Sequence, residues 1–287
     1  MKETCLIGTR GSALALAQAG EVLNRLRVAH PKLSFDFKII KTTGDKMKTG
    51  SLAKSGTKGL FTKELEQALV QRKILLAVHS LKDLPTAVPA GLAVAAVPER
   101  EDPRDVLVFK NPAWSPDKGG TVASSSPRRR FQLQHRWPKL KVVDLRGNVE
   151  TRLQKLVDRP EWDALVLAGA GLKRLGYLNS VEPKRLTFEP LHYCWLDLSE
   201  MIPAPGQAAL GIEILAQDER ARSLAAPLNR FRSQAEVSAE RSFLAAMGGG
   251  CLQPVAAIGR ALHEQLTLRG IVFSTDGAKR WEDEVSG

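Results

Sequence analysis

The stretch ILLAVHSLKDLPT, residues 74–86, begins as an apolar run and ends in a polar turn that contains Lys82 and Asp83. An apolar run of this length, bounded by turn residues, is typical of a buried strand in an α/β sheet. The simplest interpretation of the carboxylate at its end is a core strand followed by a solvated turn. The alternative is that Asp83 faces a ligand at the edge of the sheet, and the rest of the sequence must decide between the two.

Strand and helix patterns alternate on both sides of this stretch. Ser12 is the expected N-cap of the first helix, and Pro31 marks its end. A polar segment rich in Gly and Lys, residues 41–59, has no periodicity and is expected to form a loop over a site. Strand patterns occupy residues 4–9, 34–40, 74–80 and 92–97, and helical patterns occupy residues 12–30 and 60–73. The first hundred residues are therefore predicted to form one α/β unit.

The same alternation repeats after a charged crossing with two prolines at residues 98–105, which we expect to act as a hinge. Pro127 suits the first position of a helix in this second unit. A strand within 202–215 is expected to return the chain to the first unit, before a final helix and strands. We predict domain 1 from residues 1–99 and 202–219, domain 2 from 102–198, and a small α+β domain 3 from 222–287.

Composition and charge limit the possible functions. The 287 residues include 43% hydrophobic and 25% charged residues, which is typical of a soluble globular protein with more than one domain. The sequence contains neither a signal-peptide pattern nor an apolar run long enough for a membrane span, so a cytoplasmic protein is expected. The three cysteines lack C-x-x-C spacing and therefore support neither a disulfide framework nor a zinc site. A net charge of +11 predicts an anionic partner.

The arginines recur where a predicted strand hands over to a helix. Ligands of open α/β sheets bind at this edge, and guanidinium groups match carboxylates with two parallel hydrogen bonds. Arginines in solvated turns explain any one of these positions, but they explain the recurrence poorly. We therefore predict a cleft that binds carboxylates or phosphates, lined by Arg10, Arg128, Arg129, Arg146 and Arg152.

Other sites have weaker support. The glycines and Lys58 in SGTKGLF do not form a phosphate-binding Walker motif. His79 and Ser80 are adjacent on a strand and point to opposite faces, so they do not form a base and nucleophile pair. In AAMGGGCLQPV, Cys251 is either a small buried hydrophobe after a helix end or a thiolate with room to carry a bulky group. The spacing alone leaves both interpretations open.

Nine motifs together resemble the porphobilinogen deaminase family, also called hydroxymethylbilane synthase, in order and near-spacing over almost the whole chain. The resemblance implies two α/β lobes of the periplasmic-binding-protein type, with mixed sheets, and a small α+β C-terminal domain. It also leads us to expect a final helix that this sequence lacks. The motifs are TRGSALALAQ, GTKGLFTKELEQAL, AVHSLKDLP, EREDPRDVLV, SSSPRRRFQL, LRGNVETRLQKL, LAGAGLKRLG, PAPGQAALGIE and GGGCLQPV.

The resemblance implies a transferase of porphyrin and haem biosynthesis. Such an enzyme joins four porphobilinogen units head to tail into linear hydroxymethylbilane and releases ammonia. It is primed by a dipyrromethane cofactor, which the resemblance places on Cys251 through a thioether. Asp83 matches the family's catalytic aspartate, which accepts hydrogen bonds from pyrrole N–H groups and faces the positive charge that develops as ammonia departs.

The resemblance also implies the residues that bind the cofactor and the substrate. Many of them are cationic, because each pyrrole carries an acetate and a propionate. We expect no metal, no nucleic-acid or membrane partner, and a monomer. The residues matched to the cofactor are Cys251, Lys82, Ser80, Arg128, Arg129, Arg146, Gly147, Ser126 and Asp83. The residues matched to the substrate are Arg10, Gln18, Ser124, Ser125, Arg152, Arg174, Gln207, Phe61, Lys54 and Lys58.

Two rival functions come from other classes. A bilobal protein that binds an anionic solute without catalysis would share the two lobes and the cleft, but it would have no need of Cys251. A nucleic-acid-binding protein would be supported by the net charge alone, since only 6% of the residues are aromatic and the basic residues are dispersed.

Overall fold

The computed structural model describes residues 4–46, 59, 61–178, 186–249 and 253–287. Strands and helices alternate through most of this length, as the sequence predicts. The strands are β1 (Thr4–Thr9), β2 (Ser34–Ile39), β3 (Leu76–Ser80), β4 (Leu92–Ala96), β5 (Asp105–Phe109), β6 (Gly120–Ala123), β7 (Leu140–Val143), β8 (Ala164–Ala168), β9 (His192–Trp195), β10 (Leu210–Leu215), β11 (Val255–Leu262), β12 (Gln265–Phe273) and β13 (Arg280–Ser286). The helices are α1 (Ala13–Ala29), α2 (Thr43–Lys46), α3 (Lys63–Val70), α4 (Pro127–Arg136), α5 (Val149–Asp158), α6 (Gly169–Arg174), α7 (Glu219–Ala225) and α8 (Phe231–Ala246).

The first lobe is a five-stranded mixed sheet in the order β2-β1-β3-β10-β4. Strands β1, β2 and β3 run parallel, whereas β10 is antiparallel to both of its neighbours. The sequence-predicted return of a late strand to the first unit is therefore confirmed. Helix α1 covers one face of the sheet with Val22 and Leu26, and α3 covers the other with Leu65 and Leu69. This leaves the end of β3, with Ser80, at an edge of the sheet.

The second lobe repeats this architecture in the order β7-β6-β8-β5-β9. Strands β6, β7 and β8 are parallel, and β5 is antiparallel to β8 and β9. Side chains from both faces are fully buried, among them Leu107, Leu153 and Leu165. Each parallel strand therefore delivers the start of a helix to one edge of the sheet.

A third unit consists of α8 packed on the antiparallel sheet β11-β12-β13. Gly259 and Gly270 allow this packing, since a Cβ on Gly259 would lie 2.6 Å from the carbonyl oxygen of Glu236, and one on Gly270 would lie 2.7 Å from the Phe243 ring. Together the three sheets confirm the predicted fold class, two α/β lobes with mixed sheets and a small α+β domain.

Helix ends follow the predicted local chemistry. The Ser12 side chain accepts a hydrogen bond from the Ala15 N–H at the start of α1, and Pro127 occupies the first turn of α4. The structure differs in the segment predicted as a loop, where the four-residue helix α2 forms. Strands β5, β9 and β13 were not predicted.

Candidate functional site

Asp83 lies on a short turn that follows β3. The chain leaves the sheet at Ser80 and enters a single 3-10 turn, Leu81–Asp83. Leu81 is fully buried and packs with Val97, Ala209 and Val237, while Asp83 is exposed. The turn thus places a carboxylate in solvent, directly beyond a strand of the first lobe.

Lys82 precedes Asp83 and is half-buried. Its Nζ lies 3.4 Å from Oε1 of Gln207. Burial lowers the pKa of Lys82 to about 8; the charge of Asp83 opposes this effect, and the charge of Arg129 adds to it. The ammonium group therefore faces charged groups of both lobes and loses its proton far more easily than an ordinary lysine does.

Arg128 and Arg129 form the cationic centre of the second lobe. They lie on the first turn of α4, whose N-cap Ser126 accepts a hydrogen bond from the Arg129 N–H. Both guanidinium groups are buried and hold one carboxylate, since Arg128 Nη1 lies 2.8 Å from Asp105 Oδ2, and Arg129 Nη2 lies 2.8 Å from Asp105 Oδ1. Gln207 Nε2 donates to the same Asp105 Oδ1 at 2.8 Å.

Asp105 is ionised in this arrangement. Burial raises the pKa of Asp105, but the charges of Arg128 and Arg129 and their hydrogen bonds outweigh it, so that the pKa lies well below its ordinary range. One carboxylate then faces two guanidinium groups, which leaves an excess positive charge. The buried Nε atoms of Arg128 and Arg129 find no hydrogen-bond partner among the described residues. The centre therefore has more donors than the described part of the chain satisfies.

Arg152 connects this centre to Asp83. Its Nε donates to the carbonyl oxygen of Gly147 at 2.7 Å, and Gly147 has a φ of +126°, which favours glycine. Burial lowers the pKa of Arg152 to about 10; the charge of Arg129 adds to this effect, and the charge of Asp83 opposes it. Asp83 on the first lobe and Arg152 on the second are therefore close enough for the charge of one to affect the other. We call this set the interlobe cluster: Lys82, Asp83, Asp105, Arg128, Arg129, Arg152 and Gln207.

Other predicted residues lie on the first lobe. The Gln18 amide on α1 and the Ser80 hydroxyl are hydrogen-bonded, with Gln18 Nε2 2.8 Å from Ser80 Oγ. Arg10 stacks on the Phe61 ring, with its guanidinium carbon 4.2 Å from the ring centroid. The structure thus pairs predicted residues that are 51 and 62 positions apart in sequence.

The predicted serines hold the loops of the second lobe. The Ser125 hydroxyl donates to the Leu145 carbonyl at 2.7 Å and accepts from the Leu145 N–H at 2.8 Å. Ser124 Oγ lies 3.3 Å from the Ser126 nitrogen. These contacts fix the loop before α4 and the loop after β7. Arg146 lies exposed in the second of these loops.

Arg174 bridges the lobes. Its Nε lies 3.0 Å from Glu21 Oε2 on α1, and its Nη2 donates to the Ala208 carbonyl oxygen at 3.1 Å. The structure therefore gives Arg174 a protein carboxylate, that of Glu21, as its partner. Lys54, Lys58 and Cys251 lie outside the described residues.

Sequence reasoning missed residues that support the site. Asp105 holds Arg128 and Arg129, and Glu21 holds Arg174. A signal for Asp105 exists in DVLVF, residues 105–109, because a carboxylate that opens an apolar strand needs a cationic partner when it is buried. The sequence holds no comparable signal for Glu21, which lies on a half-exposed helix face.

No helix in the described ranges has both the length and the apolar character that crossing a membrane requires.

The matches to known protein families span nearly the whole chain. Residues 5–223 match the family model described as "Porphobilinogen deaminase, dipyromethane cofactor binding domain", and residues 234–287 match "Porphobilinogen deaminase, C-terminal domain". The porphobilinogen deaminase of Syntrophobacter fumaroxidans is 42% identical over 98% of this chain and 88% of its own length. That of Desulforudis audaxviator is 45% identical over 100% of this chain and 90% of its own length.

Proposed function

This chain belongs to the porphobilinogen deaminase family, and from that premise we propose which of its residues carry the family's reaction. The reaction joins four porphobilinogen units head to tail into linear hydroxymethylbilane, and each unit loses ammonia. The protein is a transferase of tetrapyrrole and haem biosynthesis that acts on porphobilinogen. The rival without catalysis, a binding protein for an anionic solute, is not favoured, since both matched domains and the full-length relatives are deaminases.

The observation that carries the site proposal is the excess of buried cationic donors around Asp105. Two guanidinium groups share the single carboxylate of Asp105, and their Nε–H groups have no acceptor among the described residues. A dipyrromethane cofactor with its acetate and propionate groups fits such a set, because carboxylates form charge-assisted hydrogen bonds with guanidinium groups. The cofactor supplies a two-ring primer to which substrate rings are added.

We assign the residues that would hold the cofactor from this donor set and from the resemblance. The proposed attachment point is Cys251, which lies outside the described residues. The cationic groups neutralise its carboxylates, while Ser80, Ser126 and the backbone at Gly147 add hydrogen bonds. The proposed cofactor residues are Cys251, Lys82, Ser80, Arg128, Arg129, Arg146, Gly147, Ser126 and Asp83.

Asp83 is proposed as the catalytic carboxylate. Its carboxylate is exposed on the turn after β3, so it can accept hydrogen bonds from pyrrole N–H groups. It also opposes the positive charge that develops on the incoming ring as ammonia leaves. A unit charge pair about 4 Å apart contributes about 4 kcal/mol at an effective dielectric constant of 20. If this interaction is realised only in the transition state, it corresponds to roughly a thousandfold in rate.

The substrate is proposed to bind at the rim of the same cleft, where cationic and polar side chains of both lobes face each other. Arg152 lies near Asp83, since the charge of Asp83 affects the pKa of Arg152. Arg10, stacked on Phe61, provides a second guanidinium group for a carboxylate. The proposed substrate residues are Arg10, Gln18, Ser124, Ser125, Arg152, Arg174, Gln207, Phe61, Lys54 and Lys58.

Intact-mass measurement of the purified protein tests the covalent part of the proposal. We expect an excess equal to two linked pyrroles, together with conversion of porphobilinogen to hydroxymethylbilane. Cys251→Ser should lose the excess mass and the activity. Cys194→Ser is the matched control, because Cys194 is a half-buried cysteine of strand β9 in the second lobe, and it should retain both. An active preparation with the unmodified chain mass would contradict the assignment of Cys251.

A further inference from the structure

Arg241, on helix α8 of the third unit, reaches across to the turn that carries Asp83. Its Nη1 donates to the carbonyl oxygens of Leu81 at 3.1 Å and Leu84 at 2.9 Å. Its Nη2 donates to the carbonyl oxygens of Pro85 at 2.6 Å and Thr86 at 3.4 Å. One guanidinium group thus binds backbone on both sides of Asp83.

The turn needs such a partner, because it leaves the sheet without entering a long helix. The Leu84 N–H donates to the Leu81 carbonyl at 3.3 Å, a long hydrogen bond, and Pro85 has no N–H to offer. Half-buried carbonyl groups of an irregular segment require donors from elsewhere in the protein. A planar guanidinium fork satisfies several of them at fixed angles, so it restrains the direction in which the turn projects its side chains.

Two further contacts join α8 and its C-terminal end to the same segment. Val237, one turn before Arg241, packs against Leu81 in a buried cluster. Gly249, with a φ of +58°, lies beside Thr86, since a Cβ added there would be 3.0 Å from the Thr86 hydroxyl oxygen. The helix therefore contacts the beginning, the middle and the end of the segment 81–86.

We propose that Arg241 is a positioning residue, which holds the Asp83 carboxylate at the place where the substrate ring reacts. The proposal rests on the role proposed above for Asp83. Arg241 also links this turn to the part of the chain that leads to Cys251, ten positions later. It therefore fixes the position of the Asp83 carboxylate relative to the third unit, which bears the proposed attachment point.

The expected signature is a loss of turnover without a loss of substrate binding. Arg241→Gln should lower kcat by about tenfold and leave KM within about twofold, because a misplacement of about 1 Å at a reacting group can cost up to about a hundredfold in rate. Arg241→Lys keeps a cation and should fall between Arg241→Gln and the unchanged protein. Arg230→Gln is the matched control, because Arg230 is exposed just before the same helix, and it should behave as the unchanged protein.

A double variant separates positioning from a general structural role. If Arg241 acts through Asp83, Arg241→Gln should cause no further loss of single-turnover rate in an Asp83→Asn background. Intact mass and thermal unfolding of each variant establish cofactor loading and folding. Equal losses in the two backgrounds, or full turnover of Arg241→Gln, would overturn the proposal. If Arg241→Gln does not fold, the same comparison with Arg241→Lys decides. Absence of product from the unchanged, cofactor-loaded protein would instead contradict the proposed function.

Discussion

The two sides of the cleft hold their charges in opposite ways. On the second lobe, Arg128 and Arg129 are buried and fixed by Asp105 from the inside. On the first lobe, Asp83 is exposed, and its carboxylate has no hydrogen bond with any of the described residues. The cationic side is therefore held rigidly, as the proposed binding of carboxylates requires, while the anionic group is accessible, as the proposed role of Asp83 requires. Substitutions on each side should accordingly change different properties.

Substitution of Asp83 should cause the largest change, and the change should be confined to catalysis. Asp83→Asn keeps a hydrogen-bond acceptor but removes the charge, so we expect kcat to fall by roughly a thousandfold, or about 4 kcal/mol. Because the side chain is exposed, the free energy of unfolding should change by less than about 0.5 kcal/mol. Steady-state kinetics and urea denaturation measure the two quantities. Retention of most of the turnover would exclude the proposed role.

Substitution of Asp105 should cause the next largest change, this time in stability. Asp105→Asn leaves two buried guanidinium groups without their counter-ion, and breaking such a pair costs about 3 kcal/mol or more in free energy of unfolding. The folded state depresses the pKa of Asp105. The ionised Asp105 therefore stabilises the folded protein fully above about pH 3.9, the pKa of aspartate in the unfolded chain. This stabilisation is lost progressively as the pH falls below that value. The difference between the two proteins should shrink in urea denaturation below about pH 4.

A matched control for Asp105 is Asp144, whose partner Arg130 lies on the same helix as Arg128 and Arg129. Arg130 pairs with Asp144 at 2.7 Å, but the Asp144 side chain is 74% exposed. Asp144→Asn should change the free energy of unfolding by less than about 0.5 kcal/mol, because solvent screens exposed pairs. Equal effects of Asp105→Asn and Asp144→Asn would mean that burial does not distinguish the two pairs.

The difference between local and long-range contacts explains what the sequence could predict. Ser12 and Pro127 identify helix starts because caps depend on local chemistry. Arginines at strand–helix junctions predict a binding cleft, because the position of a junction follows from the sheet architecture. Asp105 and Glu21 could not be assigned as their partners, because those contacts depend on how distant segments pack.

The unpredicted strands have a similar explanation. Strand β13, RWEDEVS, is exposed at every position and contains three consecutive acidic residues, so neither burial nor alternation identifies it. It forms because it pairs with β12 along Arg280–Ser286. Strand β9 is only four residues long, and it forms an edge of the second sheet beside β5.

Lys82 is influenced by charges of both lobes, and its titration should change KM by less than the substitutions above change kcat or stability. Its pKa of about 8 means that the ammonium group loses its charge as the pH rises through 8. An anionic substrate then binds less well, and for a charge pair worth ~1 kcal/mol, KM should rise about fourfold between pH 7 and pH 9. Lys82→Arg keeps its charge and serves as the control for titration of the substrate itself. A rise of the same size in Lys82→Arg would show that Lys82 is not the group whose titration changes KM.

Glu21 should cause the smallest change, because its bond to Arg174 connects the lobes at a partly exposed position, with 29% of the Glu21 side chain exposed. Glu21→Gln removes the negative charge that neutralises Arg174, which then attracts substrate carboxylates more strongly. We expect KM to fall about twofold, or ~0.4 kcal/mol, and the effect to vanish at high salt. Glu219→Gln makes the same charge change on an exposed helix and should leave KM unchanged. If both variants lower KM equally, net charge is responsible, and Arg174 belongs to the scaffold that joins the lobes.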